Sequence, residues 1–429
     1  MWETASLSNG SIVHENHNDY NDYNDDNATV CPSPVEESYV ESGVITGNAL
    51  LNAKLSETDI AQAHTLRMMG SDYDDNTAHY VAEKVIPLAV TLRTVEIAST
   101  QFSPVGLKSL LRALWKTPWD TLEHLSLCDV HLHYEECSLI RHVMIKQRTH
   151  LKVLQLRRCH MDDLAAQSIA EGVSQADSLQ ELFLADNDVI PAFTISVEEG
   201  TLSFPNSLKT LDISGNHIDP HHHRGLYRAF SRCASSIEEI YLARCSLSED
   251  GLNALLHAGI HSSHALRVLN VASGRLFRGA GRVLCSVLTE CPNLERLYVQ
   301  DNFIEVDGAA RMSVGIPYAK KLTVLGMGRC HLDSEGVRII AEAVKQSSSL
   351  RELDLSGNNV HDNDVYHICA LTVDGCLRLK FLDLSDNPLT KASWAALQTL
   401  IEREKGNGCT ILVRGTELEE EYSYLRCDN

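Results

Sequence analysis

One segment pattern recurs through most of this chain, and it limits the possible folds more than any other feature. The copies that begin at Leu322, Leu350 and Leu379 follow the template L-x-x-L-x-L-x-x-(N/C)-x-L, the other copies keep its register, and successive copies begin 28 to 30 residues apart. The first residue of each copy, which we call the anchor, is found at Leu92, Leu122, Leu151, Leu179, Leu208, Ile237, Leu266, Leu294, Leu322, Leu350 and Leu379. Such self-similarity indicates a solenoid, in which each unit packs only against its neighbours.

The copy LRELDLSGN illustrates the physical logic of one unit. Apolar and polar residues alternate, so a strand here would point Leu353 and Leu355 inward and Asp354 outward. Asn358 follows at a turn, where its amide can satisfy backbone groups. A helical segment then leads to the next copy, often after a capping residue such as Ser103. The sequence therefore predicts a strand, a turn and a helix in every repeat.

Stacking these units predicts an α/β solenoid with one continuous parallel sheet. Neighbouring strands lie about 4.8 Å apart, whereas packed helices need about 8–10 Å. This mismatch predicts a horseshoe, with the parallel sheet on the concave face and the helices on the convex face.

The period of 28–29 residues, the alternation of Asn with Cys at the turn and the full helices resemble the ribonuclease-inhibitor-like class of leucine-rich repeat (LRR) proteins. That class also includes the Ran GTPase-activating protein and the sensor ends of NOD-like receptors. The resemblance covers about 330 residues and implies a horseshoe that binds macromolecules along its concave sheet. It does not imply one activity, because fold and function are separable.

The chain is predicted to have three parts. Residues 1–48 contain the stretch HENHNDYNDYNDDN and no Lys or Arg, which predicts an acidic disordered tail that either solvates the chain or presents its tyrosines as a linear motif. Residues 49–91 include the capping box Ser56-x-x-Asp59 and a second helical segment, which predict a helical N-terminal cap. Residues 92–429 are predicted to form about eleven repeats of 28–30 residues and a C-terminal cap.

Composition indicates in which compartment the protein resides and which classes of partner are disfavoured. The net charge of −21 disfavours nucleic acid and anionic membranes as partners, because phosphate groups need a basic surface. No apolar run approaches the roughly 18 residues of a membrane span, and the N-terminus lacks the features of a signal peptide. The 13 scattered cysteines favour reduced thiols over a disulfide framework. These features predict a cytoplasmic protein, with association with the cytoskeleton as an alternative.

Two repeats depart from the template. After Asn187 the expected helix is replaced by VIPAFTISVEEGTLSFPN, where Pro191 and the alternation that begins at Phe193 predict extended or irregular structure and a second contact site on the outer face. A later repeat has Gly274 in place of Asn or Cys. This repeat also brings together Arg275, Arg278 and Arg282.

Three repeats have cysteine at the turn, directly after an arginine. The pairs are Arg158-Cys159, Arg244-Cys245 and Arg329-Cys330, and they recur 86 and 85 residues apart. One explanation is duplication of a three-repeat unit. The other is functional, with three evenly spaced arginines that contact an extended acidic partner.

Neither a metal site nor a cofactor site is predicted. The segment CDVHLHYEECSLIRH has a composition that suggests zinc, through Cys128, His131, His133, Cys137 and His142. The repeat register argues against it, because Cys128 belongs to the strand and Cys137 to the helix on the other side. The glycines at 279 and 281 lack the third glycine of a dinucleotide fingerprint.

The sequence does not predict an enzyme. Asp354 and Asp383 lie at equivalent positions one repeat apart, but an open sheet face would not desolvate them as acid–base chemistry requires. A GTPase-activating protein similar to the Ran activator is one alternative, for which Arg275 invites comparison although the loop motif of that family is absent.

We therefore predict a non-enzymatic scaffold that binds a protein partner on the concave face. The aromatic and arginine side chains among the outward residues are the best anchors, since both types dominate interface hot spots. A structural subunit of a large cytoskeletal or axonemal assembly is a second alternative. The predicted partner-binding residues are Gln155, Arg158, Phe183, Tyr241, Arg244, Tyr298, Asp301, Arg329, Asp354 and Asp383.

Overall fold

A computed structural model describes residues 43–46, 55–187, 189–190, 193, 204–258, 264–373, 379–403 and 410–419. All of them belong to one compact unit, Glu37–Asn429. Fourteen strands in the described residues form a single sheet in which each strand pairs in parallel with the next along the chain. The strands are β1 Val44–Ile45, β2 Thr65–Met69, β3 Thr94–Ala98, β4 His124–Cys128, β5 Val153–Arg157, β6 Glu181–Phe183, β7 Thr210–Asp212, β8 Glu239–Tyr241, β9 Val268–Asn270, β10 Arg296–Tyr298, β11 Val324–Gly326, β12 Glu352–Asp354, β13 Phe381–Asp383 and β14 Thr410–Leu412.

Helices connect the strands. The α-helices in the described residues are α1 Glu57–Gln62, α2 Asp75–Tyr80, α3 Pro104–Lys116, α4 Tyr134–Lys146, α5 Asp163–Val173, α6 His223–Cys233, α7 Ser248–His257, α8 Ala280–Glu290, α9 Glu305–Ser313, α10 Asp333–Lys345, α11 Asp362–Val373 and α12 Trp394–Arg403. Shorter helical turns occur at Val81–Val85, Pro220–His222, Ile316–Tyr318 and Lys391–Ser393. None of the described helices is long and apolar enough to cross a membrane.

The repeat register predicted from the leucines is confirmed. Leu154 of β5 pairs with Leu182 of β6, which pairs with Leu211 of β7, so equivalent leucines form a row across the sheet. These leucines are fully buried. Each buried leucine side chain stabilises the fold by about 1.5–3 kcal/mol, and the row repeats this along the whole core.

In the repeats that have Asn or Cys at the turn position, its buried side chain links the repeat to the one before it. Asn358 accepts a hydrogen bond from the N–H of Cys330 at 2.9 Å and donates one to the carbonyl of Met327 at 2.7 Å. In the preceding repeat the thiol of Cys330 donates to the carbonyl of Val299 at 3.1 Å. Cysteine thus reproduces the donor half of the asparagine's role, which confirms the prediction that this residue satisfies the backbone at the turn.

The sheet begins earlier in the sequence than the template indicated. Strand β2 falls in residues 49–91, which were predicted to be helical, and β1 falls inside the predicted tail. The template missed β2 because Ala63, fully buried, stands where the anchor leucine belongs, one period before Leu92. Helices α1 and α2 do form in this stretch, and Ser56 makes the expected capping box with Asp59. The rest of the predicted tail lies outside the described residues.

The irregular stretch after Asn187 is only partly described. The N–H of Phe193 donates to the carbonyl of Val189 at 3.1 Å, a helical hydrogen bond. The ring of Phe193 is buried, with its centroid 6.5 Å from that of Phe204. The interpretation as an outer contact site is therefore wrong for Phe193, and most of the stretch lies outside the described residues.

Candidate interaction surface

The side chains that alternate with the buried leucines form a second set of rows on the other side of the strands, which we call the sheet face. The middle row of the sheet face is fixed by the pairing of Phe183 with Asp212, Asp212 with Tyr241, and so on to Asp354 with Asp383. Six of the ten predicted partner-binding residues lie in this row. They are Gln155, Phe183, Tyr241, Tyr298, Asp354 and Asp383.

The other four predicted residues, Arg158, Arg244, Asp301 and Arg329, lie beyond the carboxyl ends of their strands. They belong to a row of turn residues, one per repeat, that all have positive φ and that we call the turn row. The members are Ser99, Asp129, Arg158, Asp186, Gly215, Arg244, Ser273, Asp301, Arg329, Gly357, Asp386 and Gly415, with φ between 50° and 68°. The left-handed conformation bends the chain out of the sheet, so these four side chains occupy its edge and not its face.

The three predicted arginines are paired within the chain. Arg158 lies 2.5 Å from Asp129 and Arg329 lies 2.5 Å from Asp301, each pair joining adjacent repeats. The guanidinium of Arg158 also holds the pKa of Asp129 below its usual value. These contacts weaken the interpretation of the arginines as sites for an acidic partner, because acidic groups of the chain already occupy them.

Arg244 reaches further, to an oxygen of Asp186 at 3.0 Å, two repeats away. The intervening turn residue is Gly215, where a Cβ would lie 1.8 Å from Oδ1 of Asp186. Glycine is required here because the backbone has positive φ and because a Cβ would clash with the carboxylate of Asp186. Since the Arg244 side chain is half exposed, the pair contributes about 0–1 kcal/mol to stability.

A buried ion pair on the sheet face was missed by the sequence analysis. Arg157 lies 2.5 Å from Asp212, both side chains are only 8% exposed, and the guanidinium lies 5.2 Å from the ring centroid of Phe183. The strand period of two places Arg157 on the same side as Gln155. That alternation is the sequence signal for Arg157, whereas the Arg-Cys motif of the turn contains the neighbouring Arg158.

A polar cluster surrounds Tyr241 at the centre of the sheet face. Its hydroxyl donates to Oε2 of Glu239 at 2.9 Å, and Arg296 lies 4.0 Å from the same carboxylate. Burial and the charge of Glu239 raise the pKa of Tyr241, so the hydroxyl remains a donor at neutral pH. The pKa of Glu181 is also raised, mainly by burial and to a smaller extent by repulsion from the charge of Glu239.

Asp354 and Asp383 each accept a hydrogen bond at 2.9 Å from the backbone N–H two residues ahead, those of Ser356 and Ser385. Burial raises the pKa of Asp354, with a further contribution from Asp383. The expectation that the sheet face leaves these carboxylates fully solvated is therefore wrong for Asp354. The side chain is held rigidly and its charged form is disfavoured.

The sheet face carries more acid than base. Strands β1 to β14 contain the carboxylates Glu96, Glu181, Asp212, Glu239, Glu352, Asp354 and Asp383 and the arginines Arg67, Arg157 and Arg296. Each of these arginines contacts a carboxylate of the same face. Within the described ranges no cation forms an ion pair with Glu181, Glu352, Asp354 or Asp383. The face therefore presents uncompensated negative charge.

The residues that suggested zinc do not converge. Cys128 is buried at the end of β4 and Cys137 is buried in α4, while His142 packs its ring 4.8 Å from Trp115. The ring of His131 lies 4.4 Å from that of His133, inclined by 48°, and stacks on the ring of His160 at 5.7 Å. In the part of the chain that the structure describes, no group of three or more His, Cys, Asp or Glu residues could hold a metal ion.

An exposed row of rings was also missed. Phe277, Phe303 and His331 stack in sequence, with centroids 5.3 Å and 5.1 Å apart. Phe303 and His331 each directly follow the Asn or Cys of the template, Asn302 and Cys330, so the repeat template could have placed them side by side. Arg275, the residue compared with the Ran activator, is exposed next to this row with φ of 55°.

Comparisons with known proteins agree with the repeat architecture. A family profile described as "Leucine Rich repeat" matches residues 147–170, 205–220 and 346–369, and a second, "Leucine Rich Repeat", matches 378–400. The chain is 22% identical to ribonuclease inhibitor from Sus scrofa over 77% of this chain and 72% of that protein. It is 25% identical to ribonuclease inhibitor from Mus musculus, over 55% of this chain and 52% of the relative.

Further relatives are longer than this chain. Identity to "NACHT, LRR and PYD domains-containing protein 3" from Bos taurus is 30%, over 39% of this chain but only 16% of that protein. Among solved structures, an internalin from Listeria monocytogenes has a TM-score of 0.44 at 14% identity, covering 82% of this chain and 90% of its own. The yeast Rad7–Elc1 complex has a TM-score of 0.48 at 13% identity, covering 84% and 78%.

Proposed function

We propose that this chain, which belongs to the ribonuclease-inhibitor-like class of the leucine-rich repeat family, is a non-enzymatic scaffold that binds a protein partner on its sheet face. Its relatives suggest a protein-interaction scaffold in general terms. The negative charge of the sheet face also indicates which kind of protein would bind there. We infer that the contacting surface of the partner is basic.

The observation that carries the proposal is the uncompensated acid of the sheet face. Glu352, Asp354 and Asp383 lie on two adjacent strands, β12 and β13, and Glu181 lies on β6. A partner with lysine or arginine opposite these groups would supply the missing positive charge. Complementary charge also speeds association and discriminates against acidic competitors.

Two aromatic side chains supply apolar contact between these acidic positions. Tyr241 and Tyr298 are partly buried and both pair with Asn270 across β9. Tyrosine in such a position loses little conformational entropy on binding and is common at hot spots. The sheet face thus combines a central aromatic contact with acidic positions on either side.

Carbodiimide cross-linking tests this proposal, because it joins carboxylates directly to partner lysines. The protein is captured with its partner, cross-linked and analysed by mass spectrometry. Cross-links are expected from Glu181, Glu352, Asp354 or Asp383. Links that arise only from helix-face carboxylates would instead place the interface elsewhere and would overturn the proposal.

An isosteric double variant provides the quantitative test. Asp354→Asn with Asp383→Asn removes two charges while an oxygen remains to accept the serine N–H groups. We expect partner affinity to fall by tenfold or more, equivalent to about 1.4 kcal/mol, at low ionic strength. The matched control is Asp120→Asn with Asp177→Asn, two exposed positions away from the sheet face, where affinity should be unchanged.

A further inference from the structure

The stacked rings of Phe277, Phe303 and His331 form a surface that is separate from the sheet face, and we call it the aromatic edge. The planes of Phe277 and Phe303 are inclined by only 13°, and those of Phe303 and His331 by 8°. Phe277 is 53% exposed and Phe303 is 42% exposed. Exposed aromatic side chains in contact with one another form an apolar patch of the kind that marks interaction sites.

Backbone pairing holds this stack in place. The N–H of Phe303 donates to the carbonyl of Leu276 at 2.7 Å, and Phe277 and Phe303 form an isolated parallel bridge beyond the main sheet. Leu276 and Ile304, next to the two phenylalanines in sequence, are fully buried. The core therefore fixes the backbone on both sides, so the rings are exposed without the freedom of a flexible loop.

Two arginines flank the exposed rings. Arg275 and Arg278 are exposed, on either side of Phe277 in the chain. The ion pairs found among the described residues include neither of them, in contrast to the paired arginines of the turn row. The carboxylate of Glu249 lies against the neighbouring Gly279, where a Cβ would be 2.0 Å from Oε2. In a chain of net charge −21, this edge therefore presents two exposed arginines that are absent from the ion pairs of the described residues.

We propose that the aromatic edge, with Arg275 and Arg278, is a second binding surface, which takes an acidic peptide segment that carries an aromatic or aliphatic side chain. The apolar side chain of the peptide would contact the exposed faces and edges of Phe277 and Phe303. Its carboxylates would pair with the guanidinium groups, which can bind them in bidentate fashion. This partner chemistry is the opposite of that proposed for the sheet face, so the two surfaces would select different segments.

The probe for the test is a fluorescein-labelled peptide of twelve residues, made of glutamate and aspartate with one central tryptophan. Binding to the full chain is measured by fluorescence anisotropy at low ionic strength. The charge reversal Arg275→Glu with Arg278→Glu is expected to weaken binding at least tenfold. The control Lys116→Glu with Arg148→Glu changes charge equally at exposed positions elsewhere and should leave binding within twofold of the unaltered protein.

The aromatic contribution is tested separately. Phe303→Ala, or replacement of the tryptophan of the probe by glycine, should each weaken binding at least fivefold, and a thermal unfolding curve for the Phe303 variant establishes that it folds. Equal affinity of the charge-reversed and control proteins would overturn the proposal. Tighter binding of an oligothymidylate than of the peptide, or dimerisation that is lost in Phe303→Ala, would also overturn it by identifying a nucleic acid or a second copy as the occupant. This test is independent of the proposal for the sheet face. If no carbodiimide cross-links formed at the sheet face, the peptide-binding measurements would still decide whether the aromatic edge is a binding surface.

Discussion

At the residue scale, the repeats with Asn or Cys at the turn depend on one buried side chain that bonds to the backbone of the neighbouring repeat. Asn387 shows this most fully, since its Oδ1 accepts N–H groups of both Asn358 and Val360 at 2.9 Å. Its Nδ2 donates to the carbonyl of Leu355, also in the preceding repeat, at 3.1 Å. The role of this position could be predicted from residue type alone, because few side chains combine a donor and an acceptor in so small a volume.

Replacement of Asn358 by alanine tests the role of this position. The N–H of Cys330 and the carbonyl of Met327 would lose their partner in a site that excludes water. A loss of about 2–4 kcal/mol in the free energy of unfolding is expected, since each buried unsatisfied group costs about 1–3 kcal/mol. Asn358→Cys, which keeps a donor as Cys330 does, should lose less. Equal losses in urea denaturation would contradict the proposed donor role.

At the element scale, the strands were predictable where the leucines are regular and were missed where they are not. The template located β3 to β13 because apolar residues recur at every required position. It missed β2 because Ala63 replaces the anchor, while Leu66 and Met68 still fill the buried row. The paired rings of the aromatic edge depend on contacts between repeats, and a template read one repeat at a time does not reveal them.

Leu353→Ala tests the register of β12. Leu353 is 1% exposed, and truncation should create a core cavity that lowers the free energy of unfolding by about 2–5 kcal/mol. Glu352→Ala on the same strand points outward and is exposed, so it should change stability by no more than about 0.5 kcal/mol. Similar effects of the two substitutions in chemical denaturation would show that the register is wrong.

At the scale of the whole molecule, the distribution of charge separates the two proposed surfaces. The arginines of the turn row are paired with acids of the chain, and those of the aromatic edge are exposed. Several carboxylates of the sheet face form no ion pair with any described residue. The sequence could supply the net charge and the strand positions. Which charges neutralise one another could not be predicted, because Arg244 pairs with Asp186 across two repeats and Arg157 with Asp212 likewise.

The excess acid of the sheet face should also be visible in the pH dependence of folding. Burial and Asp383 raise the pKa of Asp354 in the folded chain, so the folded state disfavours its ionised form. The stability that this group contributes is present below the ordinary aspartate pKa and is lost as pH rises through its elevated value. Asp354→Asn should therefore increase the free energy of unfolding at pH 7, and the gain should disappear in acid.

Asp177→Asn, at an exposed site, serves as the control in denaturation measured across this range of pH. A constant difference between the Asp354 variant and the unaltered protein at every pH would exclude charge as its cause. A basic partner would relieve the same destabilisation by pairing with the carboxylate, which links the stability of the free chain to the chemistry of what it binds.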